Sequence, residues 1–278
     1  MMNNKISKVA AIQDLASFGR CSLSVIIPIL SHMGVQVCPV PTAVFSTHTG
    51  GFGKPVFEDL TGMMHGYIEH WKTLDLKFDC IYSGFLSNEK QINEVLYFFD
   101  AFGDGEGTLI VVDPVMGDHG QLYKTYNETM QKKMRHLVSC AHVVTPNWTE
   151  ANFLLDRVYS TDAIKEQDAK EMIKAISDLG PSQVVLKGIP YENGQKINMT
   201  YDREEDSYCM IPYEELPSSY PGTGDCFASR LIGELLKGES LADSAKSATS
   251  FVTYGVKVTY EAKTDTREGI LLEQLLDF

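Results

Sequence analysis

Tyr220-Pro221-Gly222-Thr223-Gly224-Asp225-Cys226-Phe227 places two glycines and a carboxylate directly ahead of an apolar run at helical spacing, Phe227, Leu231, Leu235 and Leu236. Gly222 and Gly224 permit backbone conformations that side-chain-bearing residues avoid, so successive N–H groups can face one small volume. The positive end of the helix read from Asp225 to Lys237 falls at the same point. Such a volume attracts anions. A carboxylate aimed into it repels phosphate, unless it removes a proton from a hydroxyl that attacks phosphorus. Taken alone, the same four residues also describe a turn with an acidic helix cap.

Strands elsewhere in the chain end in the same way. Val9 to Gln13 is a nearly all-apolar run followed by Asp14, the pattern of a parallel strand buried on both faces. A helix from Leu23 to Leu30 stops at Gly34, and Val35 to Val40 reads as the second strand. The segment from Pro41 to Pro55, rich in Gly, Thr and aromatics, is longer than a connection requires and reads as a binding loop or lid. A helix from about Glu58 to Trp71, a strand Cys80–Phe85 and a helix Glu89–Phe102 follow, then a surface turn at Gly103–Gly107. Leu109–Val112 is the clearest buried strand, and it too ends in a carboxylate, Asp113. Next come a helix Asn127–Val138, a strand His142–Thr145, and Asn147 with Glu150 three residues on, as in a capping box. A helix Lys165–Leu179, a strand Gln183–Lys187, a hairpin around 202–206, and helices Leu241–Tyr254 and Arg267–Leu276 complete the chain.

Strand and helix alternate almost throughout. That pattern predicts an α/β fold with a doubly wound, mostly parallel central sheet, helices on both faces, one domain over residues 1–278 and no separate lid domain. Ligands of such sheets bind beyond the carboxyl ends of the strands. Asp14, the Phe45–Gly53 loop, Ser83–Phe85, Asp113, Asp118, Thr145, Asn147, Glu150 and Lys187 would share that rim.

With 24 Lys and Arg against 37 Asp and Glu, the formal charge of -13 opposes nucleic-acid and anionic-membrane partners. An anionic substrate then needs local positive groups or metal. The six cysteines form no CxxC pair and lie mostly in apolar segments, which fits buried, reduced thiols and a cytoplasmic setting. Met1–Lys5 leads into a short apolar run read as a strand, not a signal peptide, and no apolar run is long enough to span a bilayer.

The chain resembles the pyridoxal kinases of the ribokinase superfamily over nearly its whole length. Ala11-Ile12-Gln13 is similar to the opening of their first strand, and Phe45-Ser46-Thr47-His48-Thr49-Gly50 to their phenylalanine-serine-asparagine-histidine-threonine loop. Asp113-Pro114-Val115-Met116-Gly117-Asp118 resembles their DPVxGD segment, Thr145–Glu150 matches TPNxxE, and Gly222–Asp225 is the superfamily's GTGD signature. The resemblance implies ATP-dependent phosphorylation of the hydroxymethyl group of pyridoxal, pyridoxine or pyridoxamine. Asp225 would be the general base, with Gly222, Thr223 and Gly224 as the anion hole. Asn147 and Glu150 would organise magnesium, partly through water. Asp113, Asp118 and Thr145 would lie near the ATP phosphates, with Lys187 able to reach them or to extend into solvent. A monovalent cation such as potassium and a homodimer are further implications.

On the substrate side the resemblance points to Phe45, His48, Thr49 and Phe85. Asp14 stands where many family members carry serine, and Phe85 where some carry tyrosine. Asp14 would face the polar edge of the ring, or else cap the loop around Ser17 to Gly19. Turn, cap and satisfied-loop readings compete for Asp118, for Asn147 with Glu150, and for His48. Cys226 reads as a small buried residue, and Val252, Val256 and Val258 as core residues or a border for adenine. A hydroxymethylpyrimidine kinase is the nearest alternative. A non-catalytic pyridoxal sensor is less favoured because a binder has no use for Asp225, and a carbohydrate kinase because no lid strands are apparent.

Overall fold

The computed structural model describes residues 6–103 and 107–276. Met1–Lys5 and residues 104–106 of the expected Gly103–Gly107 turn lie outside the described residues. In chain order the elements are β1 (Lys8–Ala16), α1 (Leu23–His32), β2 (Gln36–Phe45), β3 (Phe57–Asp59), α2 (Thr61–Thr73), β4 (Cys80–Ser83) and α3 (Glu89–Phe102). β5 (Leu109–Val112), β6 (Gly117–Asp118), β7 (Gln121–Leu122), α4 (Glu128–Ser139), β8 (Val143–Val144), α5 (Trp148–Leu154) and α6 (Glu166–Ser177) follow. The chain ends with β9 (Gln183–Pro190), β10 (Lys196–Asp202), β11 (Ser207–Tyr213), α7 (Thr223–Leu235) and α8 (Leu241–Ala262).

One nine-stranded sheet runs in the order β11-β10-β9-β8-β5-β4-β1-β2-β3. The six strands from β9 to β2 are mutually parallel, while β3 on one edge and β10 and β11 on the other are antiparallel to their neighbours. The apolar runs follow from burial on both faces. Ala10, Ile12, Ile81, Val112, Val144, Val184 and Leu186 pack under α2 to α6. Their neighbours Val9, Ala11, Cys80, Tyr82, Val111, Val143 and Val185 turn to the opposite face, against α1, α7 and α8. Adjacent residues point to opposite faces of a strand, so a two-sided core demands uninterrupted apolar sequence. From β1 the chain steps to β2 on one side and later to β4 on the other, which opens a crevice at the strand ends.

Several boundaries differ from expectation. β2 continues to Phe45 because β1 is itself long and pairs Ala16 with Phe45; the loop therefore starts at Ser46. The helix expected from Glu58 starts at Thr61, because Phe57–Asp59 pairs with the end of β2 and the Asp59 carboxylate accepts the Thr61 N–H (2.8 Å). β9 runs past Lys187 to Pro190, with Gly188 at φ 69° facing an irregularity between Ile197 and Met199. Asp14 lies within β1, at a register shift between Gln13 and Leu15, and not at its end. α8 continues beyond the expected end near Tyr254 to Ala262, and Gly255 inside it leaves room for Ile270 and Leu275, which a Cβ there would crowd. The helix expected over Arg267–Leu276 is two short 3-10 turns, Thr266–Glu268 and Leu272–Gln274. Of the cysteines Cys21, Cys80 and Cys226 are buried, but Cys140 is exposed. Among the described residues, no helix is long and apolar enough to cross a membrane.

Candidate active site

Gly222 is the N-cap of α7, at φ 79°, and Asp225 lies in the first turn. The first helical bond runs from Cys226 N–H to Gly222 O (2.9 Å), so the N–H groups of Thr223, Gly224 and Asp225 stand ahead of the ladder. The two glycines are needed for different reasons. A Cβ on Gly222 would overlap the Arg20 carbonyl oxygen, so Gly222 is what lets the loop between β1 and α1 lie against the turn. A Cβ on Gly224 would instead point into the site, 3.7 Å from Asp113 Oδ2 and 3.9 Å from Lys187 Nζ.

Asp225 is held from two sides. Gln13 Nε2 donates to Oδ1 (2.7 Å) and Ser22 N–H donates to Oδ2 (2.7 Å). Ser22 reaches it from a left-handed backbone conformation, φ 54°, as the residue before α1. Its hydroxyl donates to Asp14 Oδ1 (2.8 Å), so one serine bridges two carboxylates. Burial raises the Asp225 pKa to about 7; Ser22 N–H and Lys187 oppose that rise, while Asp14 and Asp113 add to it. Burial likewise raises Asp14, 5% exposed, to about 6 against the Ser22 hydrogen bond. A base near neutrality beside free helix N–H groups can accept a hydroxyl proton at a site that also receives phosphate. Gln13 and Ser22 were not foreseen as site residues. The available signal was their flanking of Asp14 and of the α1 start, but the contact of Ser22 is made by its backbone, which no side-chain pattern encodes.

The carboxyl ends of the next strands meet α7. Asp113, directly after β5, accepts from Thr145 Oγ1 (3.0 Å) and from Lys187 Nζ (3.2 Å) through Oδ1. Lys187 therefore turns inward along β9, over the Phe227 ring (5.6 Å), and not into solvent. Asn147 and Glu150 form a reciprocal capping box on α5: Glu150 N–H to Asn147 Oδ1 (2.8 Å) and Asn147 N–H to Glu150 Oε2 (2.8 Å). The cap also has reach beyond its helix, because Met116 N–H donates to Glu150 Oε1 (3.2 Å) and Asn147 Nδ2 to Gly117 O (3.0 Å). Burial and then Asp113 push the Glu150 pKa well above the usual range. Asp118 lies on β6 in a small two-stranded flap with its side chain exposed, beside His119.

Among the described residues, no three His, Cys, Asp or Glu side chains gather as a metal cage. Magnesium commonly takes one or two carboxylates and completes its shell with water and phosphate oxygens. Glu150, 3% exposed and close enough to Asp113 to feel its charge, supplies that donor chemistry.

On the opposite side, Phe45 is buried and stacked on Phe57 (5.3 Å) at the β2–β3 edge. His48 accepts Gly50 N–H at Nδ1 (3.0 Å), which leaves Nε2 to donate to Arg267 O (2.6 Å). Both ring nitrogens are thereby used inside the protein, with Phe52 at its face edge (4.9 Å). Thr49 is exposed in the same loop. Phe85 follows β4, and its N–H donates to Gln13 Oε1. Beyond β9, two antiparallel steps restore the strand direction, so β11 ends on the same rim. A groove of about 540 Å³ lies there between Ile211–Tyr213 and α8 residues including Thr249, Ser250 and Thr253. Asn198 links it to β9, accepting Gly188 N–H (3.0 Å) and donating to Thr249 Oγ1 (3.0 Å). Val252, Val256 and Val258 are partly buried and pack against the core cluster around Phe251 and Ile270.

The profile of the phosphomethylpyrimidine kinase family matches residues 30–269. A crystal structure of a Bacteroides thetaiotaomicron protein, named as a candidate phosphomethylpyrimidine kinase, superposes with TM-score 0.93 at 44% identity, over 99% of this chain and 94% of that one. A second crystal form of that protein, with pyridoxal, gives TM-score 0.93 at 43% identity over 98% and 95% of the two chains. The hydroxymethylpyrimidine/phosphomethylpyrimidine kinase of Bacillus subtilis is 27% identical over 66% of this chain, and the pyridoxal kinase of Arabidopsis thaliana 28% identical over 73%. Each of those two alignments spans 66% of the relative's own length. The sheet order, the strand-end rim and the profile agree, and the chain belongs to the phosphomethylpyrimidine kinase family, the ribokinase-like family that shares its fold with the pyridoxal kinases.

Proposed function

We propose that this protein transfers the γ-phosphoryl group of ATP to the hydroxymethyl group of pyridoxal or a related vitamer. The observation that carries the reading is Asp225, buried in the first turn of α7, oriented by Gln13 Nε2–H and Ser22 N–H and near enough to Asp113 and Lys187 to feel their charges. Asp225 takes the hydroxyl proton as the alcohol oxygen attacks phosphorus and ADP departs. The N–H groups of Thr223 and Gly224, with Lys187, meet the charge on the phosphoryl oxygens, and Asp113, itself bonded by the Thr145 hydroxyl, holds Lys187 in place. Glu150 and Asn147 would hold magnesium, which when bound supplies neutralising charge to the phosphates. The nucleoside end fits the groove between β11 and α8.

Phe45 and Phe85 supply apolar walls for a flat ring. The pyridoxal held by the Bacteroides protein, 43% identical, supports a pyridine acceptor. Hydroxymethylpyrimidine is the second reading, favoured by the family profile and the Bacillus relative. Initial rates with ATP and each heterocycle, measured side by side, decide between them; pyridoxal is expected to give the higher kcat/KM. Asp225→Asn should lower kcat by about a hundred- to ten-thousandfold. Near-normal turnover in that variant would remove the base from the mechanism.

A further inference from the structure

Gln13 is 1% exposed and sits in β1 between the base and the loop after β4. Its amide nitrogen donates to Asp225 Oδ1 (2.7 Å) and its amide oxygen accepts Phe85 N–H. The two partners have opposite character, so only one orientation of the amide satisfies both; the flipped one sets oxygen against carboxylate and nitrogen against N–H. Gly84 makes the arrangement possible, because a Cβ there would overlap the Gln13 amide. A buried amide, two complementary partners and a glycine cut to its shape are more than a polar residue needs for its own solvation.

We propose that Gln13 is a positioning residue for the phosphoryl transfer. Its amide fixes the direction of the Asp225 carboxylate, favours the ionised form and ties that orientation to the backbone of the loop carrying Phe85. The inference rests on Asp225 being the base, as read above. Its surroundings explain why such a contact matters. Asp14 on β1 and Asp113 after β5 favour the protonated acid, as burial does, while Lys187 on β9 and Ser22 N–H favour the ionised one. Among the described residues, Tyr82 on β4, Tyr123 after β7 and the thiols of Cys21 and Cys226 also sense Asp225, and all are pushed upward by burial and therefore neutral. Gln13 Nε2–H adds a second donor to the ionised carboxylate.

The test uses full-length protein labelled with 13C-aspartate and the variants Gln13→Met and Gln13→Glu, with thermal melts to establish folding. The Asp225 carboxyl, assigned by its loss in Asp225→Asn, is titrated by NMR, and kcat/KM for pyridoxal with ATP is followed against pH. The wild-type midpoint is expected at about 7. Loss of the donor should raise it by about one unit in Gln13→Met and further in Gln13→Glu, where a like charge is added. The acidic limb of the rate profile should move with it, kcat near pH 7 should fall roughly tenfold, and KM for ATP should stay within about threefold. A residue that only fills space would lower the melting temperature and leave the midpoint and limb in place. That result in Gln13→Met, which keeps the volume and decides the matter if Gln13→Glu does not fold, would overturn the proposal. Retained turnover in Asp225→Asn would instead overturn the base assignment, which the NMR midpoints do not presuppose.

Discussion

Asp14 and Asp225 are two buried carboxylates joined through one serine, and their charges are not independent. Burial raises Asp14 to about 6 from the ordinary carboxylate value of 3.8, so the folded state binds its proton more tightly than the unfolded chain does. The stability it contributes is fully present below pH 4 or so and is lost as the pH rises through about 6. Asp14→Asn keeps an acceptor for the Ser22 hydroxyl without the charge. It should therefore raise Tm by a few degrees at pH 8 and by less at pH 5. Because Asp14 raises Asp225, the same variant should move the acidic limb of kcat/KM below its wild-type midpoint of about 7. Loss of turnover at every pH with an unmoved limb would speak for direct contact between Asp14 and the substrate ring. The carboxylates themselves were legible as polar groups after an apolar strand run and in a glycine turn, although Asp14 lies inside β1 and not at its end. Gln13 and Ser22 were not, since one resembles any polar strand residue and the other acts through its main chain.

At the scale of an element, the α7 turn carries two glycines with opposite consequences. Gly222 combines φ 79° with a backbone oxygen where its Cβ would be. Gly222→Ala should cost on the order of 1–3 kcal/mol and displace Ser22 from Asp225, lowering Tm and kcat together. Gly224 is helical, and its Cβ would make only ordinary contacts in the free protein. Gly224→Ala should leave stability within about 1 kcal/mol of wild type, or improve it, while kcat falls because the methyl would stand beside the Asp113–Lys187 pair, in the space the phosphoryl group needs. Melting curves beside turnover numbers separate the two; an unchanged Tm in Gly222→Ala would contradict the packing argument. The α5 capping box shows the limit of a local reading. Asn147-x-x-Glu150 was legible as a helix start, yet the same side chains also receive Met116 N–H and reach Gly117 O, contacts set by strands far away in sequence.

Across the whole molecule, three segments distant in sequence meet beyond the ends of β1 and β2. The turn at Asp265–Gly269 receives His48 Nε2–H at Arg267 O and Arg20 N–H at Glu268 O (2.9 Å), and the Arg267 guanidinium lies over Phe52 (5.0 Å) with a bond to Gly51 O (3.4 Å). Arg267→Ala should loosen residues 46–56, read as severalfold faster amide exchange there with α7 unaffected; equal exchange in both proteins would count against the clasp. Nothing in the sequence near Arg267 announces this role, and the expected terminal helix concealed it. Residue order already carries the layering and its signature: apolar runs long enough to be buried on both faces require a covered parallel sheet, and Gly222-Thr223-Gly224-Asp225 puts an acid at a helix start. Tertiary structure alone decided which groups face that acid. The strand order brings Gln13, Ser22, Asp113 and Lys187 together from four separate segments, and burial there lifts the carboxylate toward neutrality, because desolvation belongs to the assembled site and to no residue in isolation.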